Sequence, residues 1–481
     1  MDLAEYAQHD GLGLAGLVNR GEVTANELAR LFLAAVEKIN PKINAVIETY
    51  AERMNGLHER AVHNGPFAGV PFLMKDLGAA EKGKLQECGS RLMKGHVSDK
   101  DSFLTTRFRQ TGLTILGRAT TPEFGFAPTT ESILQGLTRN PWNLELLAGG
   151  SSGGSAASVA AGILPVAHAS DGAGSIRIPA SACGLVGLKP SRGRVTQGPD
   201  SGERLAGMAQ EFVVSRTVRD TAAMLDAVSQ PAPGDPFIIM QPQRSYIQEI
   251  GAPVSKLRIA WTAQSWQPGT VVHSEVERCV ARVAALCEEM GHQVVETTPV
   301  FDYEEYLRAL CIAWEFGFDV SMDSLAAECD RKISEETLEP ITLSCYHDAA
   351  RLTSTDVTMS DRILNKFRRN LGQFFQDCDV LLTPTLAQLP EPLGKYALTR
   401  SDLDFTSYFR LGDELAMHTA PFNVTGQPAI SLPLGQSKSG LPIGIQFAAS
   451  FGREDILIRL ASTFEKVIPW RDRIPPVHVS R

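Results

Sequence analysis

Residues 149–193 read GGSSGGSAASVAAGILPVAHASDGAGSIRIPASACGLVGLKPSRG. The stretch passes from a Gly/Ser loop into a small-residue helix over 149–162, then stays rich in Gly, Ala, Ser and Pro to its end. Ile, Leu and Val recur throughout it, so it is not a solvated linker. Residues this small in an apolar setting imply tight turns and close backbone approach inside a packed core.

The flanks place that core. Upstream, TANELARLFLAAVEK (24–38) is an amphipathic helix, with Thr24 and Glu27 at capping-box spacing and Leu28, Leu31, Ala35 and Val36 on one face. INAVIETY (43–50) reads as a strand, and GVPFLMKD (69–76) as a buried strand end opened by Gly and Pro and closed by a charged pair. LTTRFRQTG then LTILGRA (104–119) reads as helix, Gly stop and strand. Downstream, strands are predicted at 256–262, 293–299, 379–385, 429–434 and 443–449, and helices at 274–291 and 454–467. This alternation predicts an α/β fold with a large mixed, mostly parallel central sheet. We read residues 1–481 as a single domain. Within it, about 230–375 is compositionally different and mostly helical in pattern, a cap-like insertion.

Composition excludes several classes. Hydrophobic residues make up 43% and charged residues 21%, which is ordinary globular composition. The net charge is −9 and no block of five Lys/Arg occurs, so nucleic acid and anionic membrane are not expected partners. Eight cysteines, at 88, 183, 279, 287, 311, 329, 345 and 378, include no C-x-x-C pair, so neither a zinc site nor a redox motif is expected. The start MDLAEYAQHDG has no apolar signal region, and no run of 18 apolar residues occurs. A cytoplasmic protein is the expectation.

Three segments carry chemistry. AGGSSGGS (148–155) sets two adjacent serines between glycine pairs. Taken alone it also fits a flexible linker, a phosphate nest or, through Gly150, Ser152 and Gly154, a G-x-S-x-G elbow. DGAGSIRIP (171–179) places Ser175 after consecutive small residues, whose N–H groups are free to converge on a developing oxyanion. Lys75 follows a run of apolar residues, so its stem is expected in the core. Burial lowers a lysine's proton affinity, and a neutral amine is a general base near pH 7.

These segments, with TRNPWNLELLAGGSSGGSAASVAAG, DVLLTPT, APFNVTGQPAISLPLG and GLPIGIQFAASFGREDILIRLA, resemble the amidase signature family over most of the chain except roughly 230–375. Ser151 and Ser175 are 24 residues apart and Lys75 lies 100 before Ser175, spacings similar to the family's. The resemblance implies a central sheet covered by helices on both faces and an amidohydrolase that forms an acyl-enzyme. It implies Ser175 as nucleophile, Ser151 as relay serine after a cis peptide bond, Lys75 as base, and N–H groups of Gly172, Ala173, Gly174 and Ser175 as oxyanion hole. No metal or organic cofactor is implied.

Ser152, Asp171 and Arg177 are expected to support the loops, the last two through an ion pair. Cys311, in LRALCIAWEFGFD, is expected to be a buried helix residue, with a substrate-pocket wall as the alternative. Where this chain reads S-D-G-A-G-S the family commonly reads T-D-T-G-G-S. Ala173 therefore needs an ordinary φ, and Gly172 leaves a wider acyl pocket. The wording around Ser175 is most similar to the branch that includes 6-aminohexanoate cyclic-dimer hydrolase. The substrate expected is a small aliphatic, aryl or cyclic amide. Release of ammonia for tRNA amidation would need partner subunits, and transfer of the acyl group to an amine acceptor is the alternative activity. A homodimer is implied only by the family.

Overall fold

The computed structural model of the protein describes residues 1–56 and 65–481. Helices Leu3–Gln8 (α1), Gly11–Asn19 (α2) and Ala25–Ile43 (α3) open the chain. The capping box at the start of α3 forms as its spacing predicts. The Thr24 hydroxyl accepts from the Glu27 N–H, and the Glu27 carboxylate accepts from the Thr24 N–H. Two donors that the first turn leaves without helix partners are thereby satisfied.

Val46–Thr49 (β1), Pro71–Lys75 (β2) and Thr114–Ala119 (β3) form a small sheet in the order β1-β3-β2, with β2 parallel and β1 antiparallel to β3. Helix Phe103–Gln110 (α4) lies between β2 and β3 along the chain. Two short ribbons follow: Glu131–Ser132 (β4) with Gly136–Leu137 (β5), and Arg139–Asn140 (β6) with Asn143–Leu147 (β7).

The small-residue segment then supplies helix Gly153–Ala160 (α5), strand Val166–Asp171 (β8), helix Arg177–Cys183 (α6) and strand Val186–Lys189 (β9). Strand Gln210–Ser215 (β10), helix Val218–Val228 (α7), strand Arg258–Trp261 (β11), helix Ser274–Glu289 (α8) and strand Gln293–Glu296 (β12) come next. Four helices follow: Tyr303–Glu315 (α9), Phe318–Glu328 (α10), Pro340–Ala349 (α11) and Ser354–Asp377 (α12). Strand Val380–Pro384 (β13), helices Phe405–Ala416 (α13) and Ala420–Thr425 (α14), strands Ala429–Gln436 (β14) and Pro442–Ala449 (β15), and helix Glu454–Val467 (α15) complete the chain. Within 230–375, β11 and β12 are strands of the main sheet, and the wholly helical part runs from α9 to α12.

The main sheet has eight strands in the order β12-β11-β13-β15-β14-β9-β10-β8. It is mixed, but the expectation of a mostly parallel sheet is corrected. Only β12-β11 and β11-β13 are parallel, and every other neighbouring pair is antiparallel. The reason lies in burial. Alternate residues of the central strands feed two different apolar clusters. Val380, Leu382, Ile430 and Phe447 belong to one, and Leu381, Ala429 and Ala448 to the other. A strand covered on both faces reads as a continuous apolar run whichever way its neighbour points. The second cluster holds the aromatic side chains of α9, α10 and α13, among them Trp314, Phe318 and Tyr408, and it roofs the site described next.

Candidate active site

β2 ends at Lys75, whose side chain is 1% exposed. Lys75 Nζ lies 2.7 Å from Ser151 Oγ and 2.8 Å from Ser170 Oγ. Burial pulls its ammonium down to about 7, against the opposing pull of the Glu211 and Asp171 carboxylates. The backbone beneath is fixed as well, because the Lys75 N–H donates to His168 Nδ1 (3.2 Å). That bond leaves the His168 proton on Nε2, which faces Glu211 Oε2 at 2.8 Å, and Arg204 holds the other Glu211 oxygen.

Ser151 follows a cis peptide bond from Gly150. A Cβ at Gly150 would lie 2.2 Å from the Thr129 carbonyl oxygen, so only glycine fits this close approach. Thr121 Oγ1 donates to the Ser151 carbonyl (3.1 Å) and Thr130 Oγ1 to that of Gly149 (2.9 Å), which pins the loop from the other side. Ser152 points away from Lys75. Its hydroxyl donates to the Ser170 carbonyl and accepts the Ser170 N–H, both at 3.2 Å.

Ser175 sits in the turn between β8 and α6 and is 9% exposed. Among the described residues its hydroxyl has no protein hydrogen-bond partner, and neither do the N–H groups of Ala173, Gly174 and Ser175. Ala173 keeps a negative φ, whereas Gly174 takes φ +142. A Cβ at Gly174 would meet Thr419 Oγ1 at 2.3 Å. Thr419 Oγ1 itself donates to the Ala173 carbonyl (2.6 Å), turning that peptide so that its oxygen is engaged away from the cluster of free N–H groups. A Cβ at Gly172 would come 2.8 Å from Leu205 and 3.5 Å from Trp314, so these side chains fill the space beside the glycine, which is not part of the cavity wall described below.

The expected Asp171–Arg177 pair is present and wholly buried. Arg177 Nε and Nη2 each donate to an Asp171 oxygen at 2.9 Å, and Asn423 Nδ2 adds a third bond at 2.9 Å. Burial alone would raise the Asp171 carboxyl, but Arg177, Lys189 and Asn423 outweigh it and hold the group at about 2. Asp171 Oδ2 also accepts the Ile176 N–H, so the pair anchors the turn that carries Ser175. Arg177→Met strands a buried carboxylate and is expected to cost about 3–5 kcal/mol of stability, read by urea unfolding. A change below about 1 kcal/mol would contradict this role.

A cavity of about 50 Å³ opens beside Ser175. Its wall is mostly small and aliphatic residues with four aromatic rings, Phe126, Trp314, Tyr408 and Phe409, and Asp413 is its one carboxyl group. Gly125 also borders it, and a Cβ there would lie 3.2 Å from Ser151 Oγ, which brings Ser151 to the same edge. Cys311 is buried on α9 with its thiol 3.6 Å from Glu315 Oε1 and is not part of this wall. The α9 residues that are, Leu310 and Trp314, lie four apart on one helix face, whereas position 311 is turned about 100° away. All eight cysteines are free thiols. Among the described residues no group of three or more His, Cys, Asp or Glu side chains could hold a metal ion, and no helix is long and apolar enough to cross a membrane.

Sequence reasoning missed Ser170, His168 and Glu211. The signal was available for the first two. They stand two apart on β8, hence on one face, and Ser170 is directly opposite Glu211 in the β8–β10 register.

The buried Lys75 amine, its two hydroxyl partners and an adjoining cluster of free peptide N–H groups thus lie together in one site. The Amidase family model matches residues 27–458. The 6-aminohexanoate-cyclic-dimer hydrolase of Pseudomonas sp. (strain NK87) is 36% identical over 475 residues, covering 97% of this chain and 96% of that one. An acylamidase of Rhodococcus erythropolis is 36% identical over 471 residues, 96% of each chain. Among solved structures, 6-aminohexanoate cyclic dimer hydrolase complexed with substrate superposes with a TM-score of 0.93 at 35% identity, covering 98% of this chain and 99% of that one. A bacterial aryl acylamidase gives 0.85 at 25% identity over 97% of each chain. The chain belongs to the amidase signature family, and it is an amidase, a hydrolase of carbon–nitrogen bonds.

Proposed function

We propose that this amidase cleaves a small-molecule carboxamide through an acyl-enzyme on Ser175, with Ser151 as relay and neutral Lys75 as base. The observation that carries the reading is the buried Lys75 amine held between the Ser151 and Ser170 hydroxyls. A neutral amine has one lone pair and two protons. Donation to Ser170 fixes its orientation and leaves the lone pair for the Ser151 proton. As Ser175 Oγ attacks the carbonyl carbon, Ser151 takes its proton and passes its own to Lys75. The N–H groups from Gly172 to Ser175 bind the developing oxyanion, each such donor being worth about 2.7–4 kcal/mol. The same chain of groups, run backwards, returns a proton to the departing amine as the carbon–nitrogen bond breaks. Water then enters along that route and frees the acid.

The narrow cavity favours a slender acyl portion, and we read the substrate as an aliphatic, aryl or cyclic amide like those named for the relatives. The helices α9 to α12 act on this reading as a cap that shields the acyl-enzyme. A fluorophosphonate probe followed by peptide mapping tests the assignment. An adduct on Ser175, lost in Ser175→Ala, is the expected result. An adduct on Ser152, or none, would overturn it.

A further inference from the structure

A buried carboxylate lies behind the lysine and takes no part in the proton transfers above. Residues directly opposite in an antiparallel pair share a face, so Glu211 of β10 is on the same side of the sheet as Ser170 of β8. His168, two residues before Ser170, is on that side too. Opposed side chains have Cβ atoms about 4.5–5.5 Å apart, and Ser170 Oγ is 2.8 Å from Lys75 Nζ. The Glu211 carboxylate therefore stands within about 10 Å of the amine without touching it. Its place is fixed from three directions. His168 Nε2 is 2.8 Å from Oε2, Arg204 Nη1 donates to Oε1 at 2.8 Å, and a Cβ at Gly78 would run into Oε1. The ring that holds it is itself locked. His168 Nδ1 accepts the Lys75 N–H, and the His168 carbonyl accepts from Ser155 Oγ at 2.6 Å.

The other charges around Lys75 are already matched. Asp171 is wholly buried with Arg177, and Asp76 is paired with Arg118. Burial pushes the Cys88 thiol up, so it is uncharged near neutrality. The buried faces of α3 and α5, which pack on β2, carry no titratable side chain. The counter-ion of Glu211 is different, because the Arg204 side chain is 31% exposed and solvent weakens its pull on the carboxylate. Burial alone would make Lys75 too weak a base to remove a serine proton efficiently. Glu211 is the largest influence opposing that burial. We propose that Glu211 is a positioning residue for amide cleavage: its fixed charge, acting through Lys75, lets the amine take the Ser151 proton at neutral pH, and His168 ties that carboxylate to the Lys75 main chain. This inference rests on the reading of Lys75 as the base.

The test is the pH profile of Ser175 phosphonylation by a fluorophosphonate, measured on the full-length enzyme. Glu211→Gln keeps the shape and an oxygen for the His168 Nε2–H but removes the charge. Its inflection is expected about one pH unit below that of the parent enzyme. Arg204→Gln leaves the carboxylate without its counter-ion and is expected to move the inflection upward by a smaller amount. Arg204 is partly exposed, so this second variant keeps the test open if Glu211→Gln does not fold. A role in packing alone would change the plateau rate or the stability and leave the inflection where it is. An inflection in Glu211→Gln that stays or rises, or one in Arg204→Gln that fails to rise, overturns the proposal. If the parent enzyme has no inflection that Lys75→Ala removes, the reading of Lys75 as base fails. If it has one and neither variant shifts it, only this inference fails.

Discussion

Lys75→Ala is expected to lower turnover at neutral pH by roughly four orders of magnitude while leaving the fold in place. The size follows from what the amine supplies. A serine hydroxyl is a poor nucleophile near pH 7 unless a base removes its proton during attack, and among the described residues Ser175 and Ser151 have no other amine or imidazole side chain in hydrogen-bond contact. The fold should tolerate the change, because the cost of burying an amine is removed together with the amine. Its two partners are hydroxyls rather than carboxylates, so no buried charge is stranded. Circular dichroism and unfolding check the fold, and single-turnover acylation checks the chemistry. Acylation within tenfold of the parent enzyme would remove Lys75 from the mechanism.

Ser175→Ala should have the larger effect, roughly six orders of magnitude, with loss of any acyl-enzyme trapped by quenching. The residual rate would come from the N–H groups at 172–175 and from substrate positioning, which survive the substitution. Ser152→Ala is the informative contrast. Its hydroxyl spans the Ser170 peptide, donating to the carbonyl and accepting the N–H. Its removal should loosen the loop without abolishing acylation.

The sequence made some of this site legible and hid the rest for definite reasons. Lys75, Ser151 and Ser175 each lie in a local motif whose glycines and apolar flanks carry information by themselves. Two of the three also meet in space, Lys75 on Ser151, because β2 ends where the 149–152 loop turns. Strand direction was not legible. β13, β14 and β15 are buried on both faces, and an apolar run carries no record of whether its neighbour runs with it or against it. The cavity wall was hidden for another reason. Phe126, Trp314 and Asp413 come from distant parts of the chain, and nothing local in a helix such as α9 reveals that Leu310 and Trp314, rather than Cys311, line the cavity beside Ser175. Ser170 and His168 stood in plain view beside Asp171. Applying the two-residue period of β8 would have put both on the lysine's side of the strand.

The central claim is that an uncharged lysine activates Ser175 through a second serine, and the pH dependence of Ser175 phosphonylation tests it most directly. Lys75 is held at about 7, so its neutral form predominates above that value and is lost below it. The inactivation rate should rise through an inflection near pH 7, level off above it, and fall about tenfold per pH unit below it. In Lys75→Ala that inflection should be gone. An inflection near 10, where an ordinary lysine titrates, or an unchanged profile in Lys75→Ala, would contradict the account.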